Sequence, residues 1–114
     1  MIVKRDSVDP IDFSGLRILD YTSELDTGSS FAVITVPPRT SHAEAWSKRS
    51  DKYYYVATGE VEFTLDGKPQ VLSAGDFCVV LRGQHFSYRN LGPHEAQIHL
   101  VHTPSFDLDS EVFV

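Results

Sequence analysis

Short runs of apolar and β-branched residues, separated by turn-forming residues, dominate the chain. Seven runs are rich in Val, Ile, Phe, Tyr and Thr, a composition typical of β-strands. The runs are Leu16–Tyr21, Phe31–Val36, Lys52–Thr58, Val61–Leu65, Phe77–Leu81, Phe86–Tyr88 and Ala96–Thr103. Almost no segment has the 3.6-residue apolar period of a helix. The pattern therefore predicts an all-β protein, built as an antiparallel sandwich or barrel.

A tight hairpin is predicted where the pair Asp66-Gly67 separates two of these segments. One segment ends at Leu65 and the next runs to Leu72. Both central residues of a type I′ turn need a positive φ angle, and Asp-Gly is one of the pairs that adopt it most readily. We therefore expect an antiparallel hairpin over Val61–Leu72.

Composition and net charge limit the number of domains and the kinds of partner that we expect. With 114 residues and 41% hydrophobic content, the chain is expected to fold as one domain. A net charge of −6 and the absence of a basic cluster exclude nucleic acid and anionic membranes as expected partners. The only cysteine, Cys78, cannot form an intramolecular disulfide and is expected to be a buried thiol. With no membrane-spanning run and no leader pattern, a cytoplasmic protein is expected.

Two motifs with fixed glycine spacing lie between Lys52 and Asn90. Fifteen residues separate Gly59, which closes the first motif, from Gly75, which opens the second. The second motif follows the pattern Gly-x5-Pro-x-Gly-x2-His-x3-Asn at Gly75, Leu81, Gly83, Phe86 and Asn90, with Leu in place of Pro and Phe in place of His.

This frame resembles the two-motif core of the cupin superfamily. The resemblance implies a double-stranded β-helix, or jelly-roll, cupin barrel over residues 1–114, with roughly six to eight strands. An N-terminal arm over about residues 1–14 and a C-terminal tail over about residues 104–114 are expected to flank it.

The positions at which cupins keep their metal ligands hold other residues. Lys52 stands in place of the Glu of motif one and Phe86 in place of the His of motif two. The two remaining His positions fall on Trp46 and Lys48 with the shorter family spacing, or on Ala45 and Ser47 with the longer one. These side chains are poor ligands, so no metal is expected at the usual position.

A displaced metal site is the alternative. His42 and Glu44 alternate on one strand and would share a face, and His102 could reach them from the closing strand. Imidazole and carboxylate ligands suit Zn, Fe, Mn or Ni. If a metal is bound, we therefore expect His42, Glu44 and His102 to hold it.

Strand alternation, placed on the inward positions of the family, predicts an aromatic pocket with a few polar groups. The residues expected to bind a ligand there are Trp46, Lys52, Tyr54, Phe86, Tyr88 and His102. A buried lysine needs a compensating charge or a lowered pKa. Lys52 is therefore expected to extend out of the barrel mouth, to pair with Asp51 or Glu44, or to hold an acidic ligand.

Several functions remain open from sequence alone. The first is a small-molecule-binding cupin without the usual metal ligands. The second is a small cupin enzyme, either an oxygenase, isomerase or cyclase with the displaced metal site, or a metal-free acid–base isomerase that uses Lys52, Tyr54 and His102. The third is a protein-interaction role with a filled barrel.

Outward-facing Tyr53 and Tyr55 predict a homodimer.

Overall fold

The computed structural model describes residues 1–114 and is built almost entirely from β-strands. Eleven strands follow one another along the chain: β1 (Ile11–Phe13), β2 (Leu16–Asp20), β3 (Ser30–Val36), β4 (Ser41–Ser47), β5 (Asp51–Thr58), β6 (Glu60–Leu65), β7 (Lys68–Ser73), β8 (Phe77–Val80), β9 (Phe86–Arg89), β10 (Ala96–Thr103) and β11 (Glu111–Phe113). Two single-turn 3-10 helices, Arg5–Ser7 and Leu108–Ser110, are the only helical segments. Neither has the length or apolar character that a membrane-crossing helix requires.

The strands form two antiparallel sheets packed face to face. The six-stranded sheet has the order β1-β2-β3-β10-β5-β8, and the five-stranded sheet has the order β11-β4-β9-β6-β7. From β3 to β6, and again from β8 to β11, every connection takes the chain from one sheet to the other. This alternation is the jelly-roll arrangement, so the all-β jelly-roll prediction is confirmed.

All seven predicted runs contain a strand, but the barrel has more strands than the sequence predicted. Four strands lie outside the seven runs. β4 and β7 were predicted from the alternation of His42 and Glu44 and from the Asp66-Gly67 hairpin, whereas β1 and β11 were not predicted. β1 and β11 have three residues each, too few to show an alternating pattern. Residues of β7 are mostly exposed, so this strand has no apolar face and only the turn before it predicted it. Short or polar strands are formed here by pairing with a neighbour rather than by their own composition.

The predicted hairpin is confirmed at Asp66 and Gly67. Leu65 of β6 pairs directly with Lys68 of β7, which leaves two residues in the turn. Their φ angles are 49° and 79°, both in the left-handed region that a type I′ turn requires.

A cluster of aromatic rings fills one end of the barrel. The ring centres of Tyr54 and Phe63 lie 4.9 Å apart, and those of Phe63 and Tyr88 lie 5.0 Å apart. Phe86 completes this group, and all four side chains are buried. Alternate residues of β10 are also buried, as the sequence predicted, with Ile98, Leu100 and His102 among them. The packed end leaves the other half of the barrel free for a cavity.

A β-bulge in β4 reverses the direction of its side chains. The pairing of β4 with β9 shifts register between His42 and Ala45. His42 keeps its predicted inward direction, but beyond the bulge Ala45 and Ser47 become the buried residues. Glu44 and Trp46 therefore face outward, and the prediction that they share a face with His42 is wrong. A bulge adds one residue to a strand, which moves every later side chain to the opposite face.

Candidate functional site

A cavity of about 310 Å³ lies between the sheets at the end of the barrel that the aromatic cluster leaves open. Eighteen residues line it, and twelve of them are hydrophobic. This volume is at the small end of the range for ligand pockets, which runs from about 300 to 1,000 Å³. A mostly apolar wall with a few polar groups is also the usual composition of such pockets.

Both sheets and both chain termini contribute to the cavity. The six-stranded sheet provides Lys52 and Tyr54 from β5 and His102 from β10, and the five-stranded sheet provides His42 from β4 and Tyr88 from β9. The terminal segments provide six more lining residues: Ile11, Phe13, Phe106, Leu108, Glu111 and Phe113. The N-terminal arm and the C-terminal tail are therefore parts of this site.

Lys52 and Glu111 form a buried ion pair at the cavity wall. The exposed fraction of the side chain is 4% for Lys52 and 5% for Glu111. The ammonium group of Lys52 also lies 4.9 Å from the ring centre of Phe86. Burial lowers the pKa of Lys52, and the carboxylate of Glu111 partly opposes that change.

The partner of Lys52 differs from both residues expected from the sequence. The carboxylate of Asp51 accepts a hydrogen bond from the backbone amide of Arg82 at 2.8 Å, on the outside of the barrel. Glu44 faces outward because of the bulge. Glu111 reaches Lys52 because β11 pairs with β4 and places its first residue over the cavity. The ion pair therefore joins the two sheets.

His42 is held in one tautomer among aromatic rings. Its ring centre lies 5.0 Å from that of Phe86, 5.2 Å from that of Tyr88 and 5.7 Å from that of Phe13. Nδ1 lies 2.7 Å from the carbonyl oxygen of Ala43, which can only accept a hydrogen bond. Nδ1 therefore carries the proton, and the lone pair is on Nε2. Burial lowers the pKa of His42, which keeps the ring neutral near pH 7.

His102 is a second neutral histidine in the cavity. Burial and the nearby charge of Lys52, its neighbour across the strands, lower the pKa of His102 to about 3. Its Nε2 atom is buried and has no hydrogen-bond partner in the protein. The ring packs edge-on against Phe106, with 5.1 Å between centres.

Two tyrosines complete the polar groups of the cavity. The hydroxyl of Tyr88 is buried and, like Nε2 of His102, has no partner in the protein. Burial raises the pKa of both Tyr54 and Tyr88 well above the usual value, so both hydroxyls stay protonated and able to donate. The site thus offers protonated hydroxyls, two neutral imidazoles and one internal ion pair.

Four of the six residues predicted for the pocket line this cavity, namely Lys52, Tyr54, Tyr88 and His102. Phe86 is buried beneath His42 and Lys52 and supports them without lining the cavity. Trp46 is the error. It lies outside the barrel, where its ring stacks on that of His85 at 5.9 Å.

The predicted displaced metal site does not form. Glu44 makes its contact with Nδ1 of His85 at 2.9 Å on the barrel surface, away from the cavity that His42 and His102 line. No three His, Cys, Asp or Glu side chains are grouped so that they could hold a metal ion. The cavity carboxylate of Glu111 is paired with the ammonium of Lys52, which opposes a second cation beside it. The residues present therefore do not fit the metal centre that many cupins carry.

The lining residues that sequence reasoning missed come from the two terminal segments and from β2 and β3. Glu111 and Phe113 alternate with Val112 and so share a face of β11, and Phe106 precedes them. This alternation was visible in the sequence, but three residues are too few to indicate a strand. Phe13 was missed for the same reason, because β1 also has only three residues. Asp20 ends β2, a predicted strand whose cavity-facing residues the sequence did not identify.

Comparisons with known proteins agree with this architecture. Residues 32–102 match the family model for the cupin domain. None of the curated proteins compared with the chain matches it. Among solved structures, the nucleoside dehydratase Pac13 from Streptomyces superimposes with a TM-score of 0.87 at 19% identity, covering 100% of this chain and 90% of its own.

Two further structures are similar to the chain. A predicted oxalate decarboxylase from Thermotoga maritima has a TM-score of 0.82 at 23% identity, covering 91% of this chain and 99% of its own. KdgF from Halomonas sp. has a TM-score of 0.79 at 20% identity, covering 91% of this chain and 94% of its own. At these identities the likeness is one of fold. With the family model matched from β3 to β10, the chain belongs to the cupin superfamily.

Proposed function

We propose that this cupin binds a small, ring-containing organic molecule in the cavity between its sheets. The observation that carries the proposal is the pair of buried polar atoms without partners, the hydroxyl oxygen of Tyr88 and Nε2 of His102. Buried polar groups in proteins nearly always have a hydrogen-bond partner. Both residues line the cavity, so a molecule bound there would supply the missing partners.

A nucleoside-like molecule is the ligand class that we propose. Pac13 is a nucleoside dehydratase, and its variants have been solved with uridine. The cavity described here has aromatic walls at Phe13, Phe106 and Phe113, against which a planar base can stack. It also has hydroxyl and imidazole groups that can bond to a sugar hydroxyl or a base carbonyl. Its volume is suited to one base and one sugar rather than to a longer molecule.

Proton transfer by His42 is the reaction that we propose for the bound molecule. A fixed Nδ1 proton leaves Nε2 as an acceptor, and a lowered pKa keeps the ring neutral, which is the state of a general base. In a dehydration, Nε2 would remove a proton from a carbon next to a carbonyl. The electron pair then forms the carbon–carbon double bond as hydroxide leaves the next carbon, and the imidazolium returns the proton to make water.

The protonated hydroxyls of Tyr54 and Tyr88 would assist by donating hydrogen bonds to the carbonyl oxygen, on which negative charge develops. Their raised pKa values keep them as donors throughout the reaction. No metal ligand is needed for this step. The groups that line the cavity therefore favour the metal-free acid–base alternative over an oxygenase or cyclase.

Calorimetric titration with uridine tests the binding proposal. We expect binding by the native protein and at least about tenfold weaker binding by Tyr88→Phe, which removes a partner of the ligand. Tyr55→Phe changes an exposed tyrosine on the outer face and should leave affinity unchanged. Equal affinity of the native protein and Tyr88→Phe would contradict the placement of the ligand beside Tyr88.

The catalytic proposal needs a separate readout. Uridine derivatives with a carbonyl at C5′ place an acidic C–H bond next to a leaving hydroxyl. In deuterated water we expect the native protein to exchange this hydrogen for deuterium or to eliminate water. His42→Gln should slow either reaction by about 10²–10⁴-fold. His94→Gln changes an exposed histidine and should keep the native rate. Retained activity in His42→Gln would refute His42 as the base.

We also propose a homodimer formed through the outer face of the six-stranded sheet. Tyr53 stacks on Phe77 there with 6.2 Å between ring centres, and Tyr55 and Phe77 are 45% and 55% exposed. Such an apolar patch on a sheet face is typical of a contact between copies. Light scattering should give twice the chain mass, and Phe77→Lys should give a monomer. A native monomer at tens of micromolar would refute the dimer.

A further inference from the structure

We propose that Glu111 determines the charge of the molecule that this cavity accepts. By supplying a counter-ion to Lys52 from within the chain, Glu111 makes the site selective for uncharged ligands and excludes their carboxylated or phosphorylated analogues. The inference rests on the proposed binding function and adds a selectivity rule and the residue responsible for it.

The first support is the place of the ion pair in the cavity. Lys52 and Glu111 both line it, on opposite sheets, and both side chains are almost fully buried. Burying two charges is costly unless they neutralise each other, and removing one leaves the other uncompensated. The pair therefore satisfies itself without a ligand.

The second support is the sum of charges around the cavity. Lys52 is the only positively charged side chain in the lining, because His42 and His102 are both kept neutral. Asp20 is a second carboxylate in the lining, and its Oδ1 atom accepts hydrogen bonds from the amide and the hydroxyl of Thr22. The lining thus holds one cation and two carboxylates, and no unpaired positive charge is left for an anionic ligand.

This arrangement corrects an expectation drawn from the sequence. An acidic ligand was one of the partners expected for Lys52 from the sequence, beside the carboxylates of Asp51 and Glu44. The structure fills that position with the carboxylate of Glu111. An anionic ligand would have to expel this carboxylate from a site in which it is 5% exposed, or remain beside it unpaired.

The test uses two ligands that differ in charge but hardly in size, uridine 5′-carboxamide and uridine 5′-carboxylate. We expect the native protein to bind the carboxamide at least about tenfold more tightly than the carboxylate. In Glu111→Gln the ammonium of Lys52 loses its counter-ion, and the ratio of affinities should shift at least about tenfold towards the carboxylate. Asp109→Asn changes an exposed carboxylate of the same tail and should keep the native ratio.

A second variant covers the case in which Glu111→Gln does not fold. The double variant Lys52→Gln, Glu111→Gln removes both charges and leaves no uncompensated one. It should still prefer the carboxamide. If the native protein binds the carboxylate as tightly as the carboxamide, or if the double variant comes to prefer the carboxylate, the proposal is overturned.

A ligand-independent test separates this inference from the proposed nucleoside class. In Glu111→Ala, acetate is small enough to take the place of the missing carboxylate. We expect acetate to raise the melting temperature of this variant by at least about 4 °C, while acetamide does not and the native protein gains nothing. Failure of uridine derivatives to bind the native protein would refute the nucleoside class alone. Equal stabilisation of native protein and variant by acetate would refute the role of Glu111.

Discussion

Burial of His102 makes the stability of this protein depend on pH. In the folded chain, burial and the charge of Lys52 lower the pKa of His102 from 6.5 to about 3. In the unfolded chain the imidazole is free and titrates at about 6.5. Between these values the unfolded chain binds a proton that the folded chain does not. The free energy of unfolding therefore falls as the pH drops through this window.

The size of the effect follows from the width of the window. Each pH unit between the two pKa values lowers the free energy of unfolding by about 1.4 kcal/mol. Between pH 7 and pH 5, the unfolded imidazole takes up its proton only below about pH 6.5. His102 should therefore lower the free energy of unfolding by about 2 kcal/mol over this range. Domains of this size are stable by about 5–15 kcal/mol, so such a loss is measurable. Most carboxylates titrate below pH 5, which keeps this interval largely free of them.

Urea unfolding at pH 7 and pH 5, followed by fluorescence of the single tryptophan, measures the effect. The native protein should lose about 2 kcal/mol more than His102→Gln, which has no titrating group at this position. His42 contributes with the same sign because burial lowers its pKa too, but it is present in both proteins and cancels. His94→Gln should behave as the native protein. If the native protein and His102→Gln lose the same stability, then His102 is not held neutral by the fold.

Three further predictions concern stability and reactivity. Lys52→Met should destabilise the protein by about 3–5 kcal/mol in urea unfolding, because it leaves the buried carboxylate of Glu111 without a counter-ion. The double variant Lys52→Met, Glu111→Leu should be at least as stable as the native protein. Equal losses of stability in the two variants would refute a buried ion pair. Gly59→Ala should lower the free energy of unfolding several times more than Gly67→Ala. Both glycines have a positive φ angle, but only at Gly59 would the added Cβ meet a backbone oxygen, 2.7 Å away. Equal melting temperatures of the two variants would disprove this contact. Burial raises the pKa of Cys78 to about 11, so alkylation by iodoacetamide at pH 7.5 should be at least about tenfold slower than for a free thiol; a normal rate would show that the thiol is accessible.

The sequence was sufficient for the parts of the barrel that depend on local pattern. The glycine frame from Gly59 to Asn90 predicted the family, because positions of fixed spacing hold turns that only a few residues adopt. Alternation along Ala96–Thr103 correctly placed one face of β10 in the interior, since residues two apart share a face. Lys52, Tyr54 and Tyr88 reached the cavity by the same rule.

The errors arise where pairing between distant segments decides the structure. The bulge at His42–Ala45 depends on how β4 pairs with β9, and no residue type signals it. It moved Glu44 and Trp46 out of the site that alternation had assigned to them. The partner of Lys52 lies 59 residues further along the chain, in a strand too short to recognise. Contacts of this kind follow from topology, which local patterns do not encode.

Because β11 lines the cavity and lies at the edge of its sheet, local opening of this strand would also open the cavity. β11 contains three residues at the edge of its sheet, so it belongs to the part of the barrel that opens most easily. A ligand that needs this wall would be released no more slowly than the strand opens, unless it also holds the strand closed. At a concentration one hundred times its Kd, such a ligand would suppress opening by about one hundredfold. The lifetime of a ligand bound in this cavity would then depend on how often β11 opens.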